Sequence, residues 1–372
     1  MVYFDNAATS FPKPRAVIAE LHRCVTQYCG NPGRSSHALS LEAAERIYES
    51  RERISRHFNC DTPEGVVFTY NATYALNLAI KSLITERCHV LVSDMEHNAV
   101  MRPLYRLCRE RGVEYSVFST EGKLSENIEK AIRPDTRGII STLASNVIGR
   151  SVSLSVLSEL AARHGLFLIV DASQAAGHTR IDLSKNPCDV LCAPGHKALF
   201  GIQGVGFALF RDLNRRCGLI EGGSGGDSTN PEMPSLLPEG YEAGTLSTPA
   251  IVTLGCGIEF IDRIGIDTVE RRLSHLTGRL ADAVCSVRGA TLLAAEGGTV
   301  TFNYRSVPSS VIAAELDRRG ICTRAGLHCA PSAHRLIGTS DTGAVRASLS
   351  YLNRESEIDL LYGALSEIAA IY

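Results

Sequence analysis

No stretch of this sequence comes near the ~20 consecutive apolar residues needed to cross a bilayer, so no membrane-spanning helix is expected. Neither sign of charge dominates: 38 lysines and arginines face 40 acidic residues, a formal charge of -2. That near-balance argues against a dedicated nucleic-acid or membrane-surface binder, whose affinity rests on clustered positive charge. The amino terminus, Met1-Val2-Tyr3-Phe4-Asp5-Asn6, lacks the basic and apolar segments of a signal peptide, and a cytoplasmic protein is expected. Twelve cysteines are scattered without one Cys-x-x-Cys pair; the closest are Cys188 and Cys192, then Cys24 and Cys29. Zinc ribbons and thioredoxin-like motifs need tighter, repeated spacing, so no metal site is expected. In a reducing compartment most of these thiols are expected to be buried small hydrophobes.

What is present is an ordinary globular composition, 44% hydrophobic and 21% charged over 372 residues, long enough for two or three domains. From about residue 65 to 206 one pattern repeats: a short apolar, β-branched run, a polar or glycine turn, then a longer amphipathic stretch. Strands are predicted at 65–69, 89–93, 138–142 and 166–171, with helices at 74–84, 99–111 and 152–164. Strands apolar throughout that alternate with helices predict an α/β fold with a mostly parallel sheet covered on both faces. Residues 221–240, rich in Gly, Pro and Ser, read as a long loop, and 251–279 as one long helix. Beyond it, short strands at 300–303, 321–323 and 345–349 and helices at 309–319 and 355–369 predict a smaller α+β domain.

Ligands of parallel sheets gather at the carboxyl ends of the strands. At those ends stand Asn71-Ala72-Thr73, Asp94-Met95-Glu96-His97-Asn98, Ser145-Asn146, Asp171-Ala172-Ser173-Gln174 and Gly195-His196-Lys197. Singly, each has a plain reading. Thr73 reads as an N-cap, Asp171 as a cap or turn former, His97 as a satisfied histidine and Lys197 as a solvated loop lysine. Together they have a chemical logic. A helix amino terminus with Thr73 cradles a phosphate monoester, a carboxylate such as Asp171 keeps a pyridine nitrogen protonated, His97 lies against an aromatic ring, and Lys197 condenses with an aldehyde. Pyridoxal 5′-phosphate (PLP) has all four complementary groups.

These motifs, with Phe4-Asp5-Asn6-Ala7-Ala8-Thr9, Asn31-Pro32-Gly33-Arg34, Glu242-Ala243-Gly244-Thr245 and Arg324-Ala325-Gly326-Leu327-His328-Cys329-Ala330-Pro331, resemble the class V aminotransferase family. Within it the chain is most similar to the group II cysteine desulfurases, and the likeness covers essentially its whole length. The resemblance implies a PLP-dependent transferase of fold type I: a mostly parallel seven-stranded sheet in a large domain at residues 15–265, and a small α+β domain made of 1–14 and 266–372. It implies that Lys197 holds PLP, Asp171 pairs its ring nitrogen, Gln174 bonds its phenolic oxygen, and His97 stacks on the ring. Thr73, with Ala72 beside it, and His196 bind phosphate, helped by Thr245 from the second subunit of a homodimer. Asn146 lies near the phenolic oxygen and the substrate. Arg346 pairs with the substrate carboxylate, Arg34 and His37 line the entrance, and Ala7 adjoins the substrate.

The implied reaction converts L-cysteine to L-alanine: Lys197 removes the α-proton and Cys329 takes the sulfur as a persulfide, for a sulfur- or selenium-acceptor protein. Among twelve cysteines, Cys329 has the best local context for a reactive thiol, flanked by Arg324 and His328 in a Gly- and Pro-bounded stretch. Two departures touch the phosphate site: Pro194 stands where relatives carry Ser, and Tyr74 where they carry an acidic residue. The alternatives on this fold are a selenocysteine lyase acting on L-selenocysteine, then a cystine C–S lyase, an amino-acid epimerase or a non-catalytic binding partner.

Overall fold

The computed structural model describes all residues except 34–35, 61, 215–216 and 226–228. The chain opens with a two-residue strand, β1 (Val2–Tyr3). Seven strands then build the large sheet: β2 (Val66–Thr69), β3 (His89–Ser93), β4 (Glu114–Phe118), β5 (Thr136–Thr142), β6 (Phe167–Asp171), β7 (Val190–Pro194) and β8 (Gly206–Phe210). Their spatial order is β2-β8-β7-β6-β5-β3-β4. Neighbours from β4 through β7 pair in parallel, while β8 runs antiparallel to both β7 and β2. The parallel strands are apolar because helices cover both faces; Val90, Leu91 and Val92 of β3 are completely buried. β4 is the exception. As the edge strand it exposes Tyr115 and Val117, and its mixed sequence escaped the apolar-run criterion.

The small sheet contains β9 (Ala290–Glu296), β10 (Thr299–Tyr304), β12 (Arg324–Gly326) and β13 (Ala344–Ser348) in the antiparallel order β12-β13-β10-β9. A further strand, β11 (Ile321–Cys322), pairs in parallel with β1, so the first residues lie beside the carboxyl-terminal third of the chain. The chain start continues along β13, where Asn6 N–H and Ser348 N–H bond to Ser348 and Phe4 carbonyls.

Two expectations need correction. Residues 251–279 are not one helix: Thr248–Ile264 and Ile266–Cys285 are separate helices broken at Gly265, whose φ of 84° only glycine adopts without strain. Nor are most thiols buried. Only Cys24, Cys188 and Cys192 are fully inside, while Cys29, Cys285 and Cys329 are exposed and the others lie between.

A buried ion pair fastens the segment before the Thr248–Ile264 helix to the large sheet. Arg51, on helix Ala38–His57, donates to Glu242 Oε1 at 2.9 Å, and both side chains are only 7% exposed. The same Oε1 accepts Phe68 N–H at 2.6 Å, and Arg51 also donates to the Val66 carbonyl. Removing one member of such a pair leaves the other charged and unmatched in the interior. Glu242→Gln should therefore lower stability by about 3 kcal/mol, read as a shift in the urea midpoint.

Candidate active site

The carboxyl ends of β3, β5, β6 and β7 converge on a pocket with about 630 Å³ of empty space, within the range of small-molecule sites. It gathers Lys197, Asp171, His97, Gln174, Asn146, His196, Ala72 and Thr73, all of which the sequence singled out. Asp171 is the last residue of β6 and nearly inaccessible. Its Oδ1 accepts Ser173 N–H at 2.9 Å, and its Oδ2 has no hydrogen bond among the described residues. Lys197 follows β7. Burial pushes its amine down to about 8, with Arg346 and Arg324 acting in the same direction and Asp171 opposing. An amine so placed is partly neutral near physiological pH, as a nucleophile or base must be.

His97 is the N-cap of helix Asn98–Arg111, its Nδ1 accepting Ala99 N–H at 3.0 Å. Burial holds its pKa below the ordinary value, with help from the cations Lys197, Arg324 and Arg102 and against Asp171. The ring is therefore neutral and carries its proton on Nε2. His196 is pushed down to about 4 by burial, then by Lys197 and Lys13. Its buried Nδ1 lacks a partner among the described residues. Lys13 Nζ fixes the adjoining backbone by donating to the His196 carbonyl at 2.9 Å.

Helix Ala72–Leu83 points its amino terminus at the pocket. The N-cap is Asn71, whose Oδ1 accepts Tyr74 N–H at 3.1 Å, and not Thr73. That leaves the exposed Thr73 hydroxyl without capping work. Gly206 permits the close packing here, since a Cβ on it would sit 2.5 Å from the Asn71 carbonyl carbon. Pro194 lines the pocket. Tyr74 does not: it packs edge-on against Tyr70, ring centroids 5.2 Å apart, over a neighbouring hollow. That hollow also holds the exposed Thr245, outside the pocket, and offers no lysine, cysteine or histidine among the described residues.

Arg346 of β13 is 1% exposed, donates to Asp5 Oδ1 at 2.7 Å and to the Asn146 carbonyl at 2.9 Å, and leaves Nε unpaired among the described residues. Asn146 Nδ2 donates to the His328 carbonyl at 2.7 Å, and Asn98 N–H to the Cys329 carbonyl at 2.8 Å. The exposed Cys329 thus stands on a turn tied directly to the pocket wall. His328 and Cys329 have φ of 52° and 57°, left-handed values that cost non-glycine residues roughly 1–3 kcal/mol each. Burial, followed by Arg346, pushes His328 down to about 3, so it is a neutral neighbour of the thiol and not a cation. Ala7 reaches the site through its carbonyl, which accepts Gln174 Nε2 at 3.1 Å. His37 caps helix Ala38–His57 through Nδ1 on Ser40 N–H and is not among the pocket-lining residues. Arg34 lies outside the described residues.

Two participants escaped the sequence reading. Asp5 belongs to a quoted motif but received no role, because its partner is 341 residues away. Glu96 precedes His97 and is fully buried. Its Oε1 accepts Ser93 Oγ at 2.5 Å and Thr142 N–H at 2.8 Å.

A carboxylate, an amine, a neutral imidazole, an unpaired buried histidine nitrogen and a helix amino terminus in one pocket define a site of the PLP type. The comparisons agree with that class. The sequence model described as aminotransferase class-V matches residues 2–361, and the chain belongs to this family of PLP-dependent enzymes of fold type I. A probable cysteine desulfurase of Methanothermobacter thermautotrophicus is 32% identical over 100% of this chain and 95% of its own. One from Halalkalibacterium halodurans is 30% identical over 99% and 93%. Among solved structures, the apo cysteine desulfurase of Thermococcus onnurineus NA1 superposes with a TM-score of 0.91 at 27% identity, covering 100% of this chain and 95% of that one. The Escherichia coli cysteine desulfurase CsdA, at 24% identity and TM-score 0.88 over 99% and 94%, shares the fold. Among the described residues no helix is long and apolar enough to cross a membrane.

Burial raises the Glu96 carboxyl from 4.5 to about 8. Between those values the folded protein keeps a proton that the unfolded chain has lost, so stability falls as pH rises through the window. Glu96→Gln removes that loss and retains an acceptor for Ser93 and Thr142. Urea titrations should show the variant gaining on wild type between about pH 5 and pH 8, by at most roughly 1.4 kcal/mol per pH unit.

Proposed function

We propose that the protein is a PLP-dependent cysteine desulfurase, which takes L-cysteine to L-alanine and keeps the sulfur on Cys329 as a persulfide. The observation that carries this reading is the Cys329 turn, with one carbonyl bonded to Asn98, the residue after His97, and the other to the Asn146 side chain. A nucleophile is thereby mounted on the wall of a pocket that holds a partly neutral lysine. The similarity to three proteins described as cysteine desulfurases or probable cysteine desulfurases supports the same reading.

When bound, the cofactor would supply a cationic ring that draws electrons from the substrate α-carbon, loosening its bond to hydrogen and, one atom further on, the bond between Cβ and sulfur. Asp171 presents the free Oδ2 that the ring nitrogen needs. Thr73, the first turn of helix Ala72–Leu83 and His196 Nδ1 offer the phosphate hydrogen-bond donors; the neutral imidazole can carry its proton on that nitrogen. Arg346 holds the substrate carboxylate, with Asp5 and the Asn146 carbonyl fixing its guanidinium plane. Lys197 Nζ, near half-neutral at about pH 8, accepts and returns the α-proton, and the proton on His97 Nε2 is available on the other wall. Cys329 sulfur bonds to the substrate sulfur as the Cβ–S bond breaks, and Cβ takes a proton to complete alanine.

The same reading divides the chain into a large unit at 15–265 and a small one of 1–14 with 266–372, which the helix break at Gly265 supports. It includes a homodimer in which Thr245, exposed and outside its own pocket, is offered to a partner's phosphate site. It also includes a cytoplasmic location, supported by twelve free thiols, and an acceptor protein for the sulfur.

The test is product analysis of PLP-loaded protein given L-cysteine and a reductant, with alanine, pyruvate and sulfide measured together and L-selenocysteine run alongside. Alanine in step with sulfide is expected; pyruvate would move the protein to the lyase side of the family. Cys329→Ala should keep the visible absorbance of bound cofactor and lose sulfur transfer by about 100-fold or more. Turnover of L-cysteine unaffected by that change sinks the role given to Cys329. Capture of PLP by the apo-protein, trapped by borohydride and located on Lys197 by mass, should accelerate with pH around a midpoint of about 8 and be absent in Lys197→Ala.

A further inference from the structure

Short helix Pro331–Leu336 follows the Cys329 turn and carries His334, which is completely buried. Its Nε2 lies 3.1 Å from His328 Nδ1, the two rings stacked at 12°, and its Nδ1 lies 2.7 Å from Thr339 Oγ1. His328 Nε2 lies 3.2 Å from the Arg324 carbonyl. The proton inventory sets the direction of this chain. A carbonyl only accepts, so His328 Nε2 carries hydrogen. Both imidazoles are neutral, their pKa values lowered by burial and then by the Arg346 charge, so His328 Nδ1 accepts. His334 Nε2 must then donate to it, and His334 Nδ1 accepts the Thr339 hydroxyl. All four ring nitrogens are used, and no other assignment satisfies them.

None of these groups lines the cofactor pocket. What they hold is the left-handed pair His328 and Cys329, a conformation that persists only where its surroundings over-determine it. Asn146 and Asn98 hold the two carbonyls, and the imidazole chain independently holds the His328 side chain. We propose that His334 is a positioning residue for Cys329: through His328 it holds the turn that presents the thiol to the substrate. The inference rests on the role given to Cys329 above.

The experiment compares PLP-loaded wild type, His334→Ala, His334→Gln and Thr339→Val by two readouts. One is amide hydrogen exchange of residues 326–330; the other is alanine formation from L-cysteine, with kcat and KM separated. His334→Ala should speed exchange in this segment by about tenfold or more, since it releases a local anchor. Its kcat should fall about 10- to 100-fold, with KM within about twofold because Lys197 and Arg346 are untouched. Glutamine can still donate its amide hydrogen to His328 Nδ1, and His334→Gln should return most of both quantities. Unchanged exchange and kcat in His334→Ala overturn the proposal, as does a glutamine variant as impaired as the alanine one. Should His334→Ala fail to fold, Thr339→Val removes only the hydroxyl; a few-fold faster exchange supports the proposal and none overturns it. A wild type that forms no alanine from cysteine or selenocysteine refutes the assigned reaction, and the exchange comparison then still decides whether His334 anchors the turn.

Discussion

Much of this molecule depends on how one buried guanidinium is satisfied. Arg346 sits on β13, an interior strand of the small sheet, almost without solvent, and a charge so placed must be paired and hydrogen-bonded to be tolerated. Asp5 meets the charge, which draws the first residues of the chain across to β13. The Asn146 carbonyl meets a second donor, which draws in the loop after β5. Asn146 directs its side chain to the His328 carbonyl, so the Cys329 turn is registered against the same guanidinium. Four segments distant in sequence are aligned by one side chain's need for partners.

The site that results is rich in fixed positive charge and poor in mobile charge. Burial drives His97, His196, His328 and His334 toward the neutral form, and nearby cations reinforce it: Lys197 at His97 and His196, Arg346 at His328 and His334. Neutral imidazoles serve as oriented donors and acceptors whose direction their neighbours dictate. Near neutral pH proton traffic falls to the amine of Lys197, while Glu96 behaves as a buried acid tying the end of β3 to β5.

The central sheet was readable because its strands are apolar on both sides. β3 was predicted to the residue, its valines bounded by Cys88 and Asp94. β4 was missed for the converse reason: as an edge strand it leaves Glu114, Tyr115 and Val117 exposed across both faces, so neither an apolar run nor an alternation marks it. The break at Gly265 hid inside a helical period that a lone glycine interrupts only weakly. In the site, Lys197, Asp171 and His97 were legible because each ends or follows an apolar strand. Asp5, Glu96 and His334 were not, since burial and long-range pairing give them their roles and no local pattern reports either. The cap lies at Asn71, two residues before Thr73; both are cap-forming types, and which one accepts the helix's free N–H depends on where the helix begins.

The mount beneath Cys329 also bears on delivery. Its two carbonyls are clamped and the preceding residue's ring is locked, so an atom attached to this sulfur travels no farther than one side chain can rotate. Transfer becomes a question of who can approach. The thiol is exposed, so whatever reacts with it comes to a fixed point on the surface and the turn does not swing out to meet it.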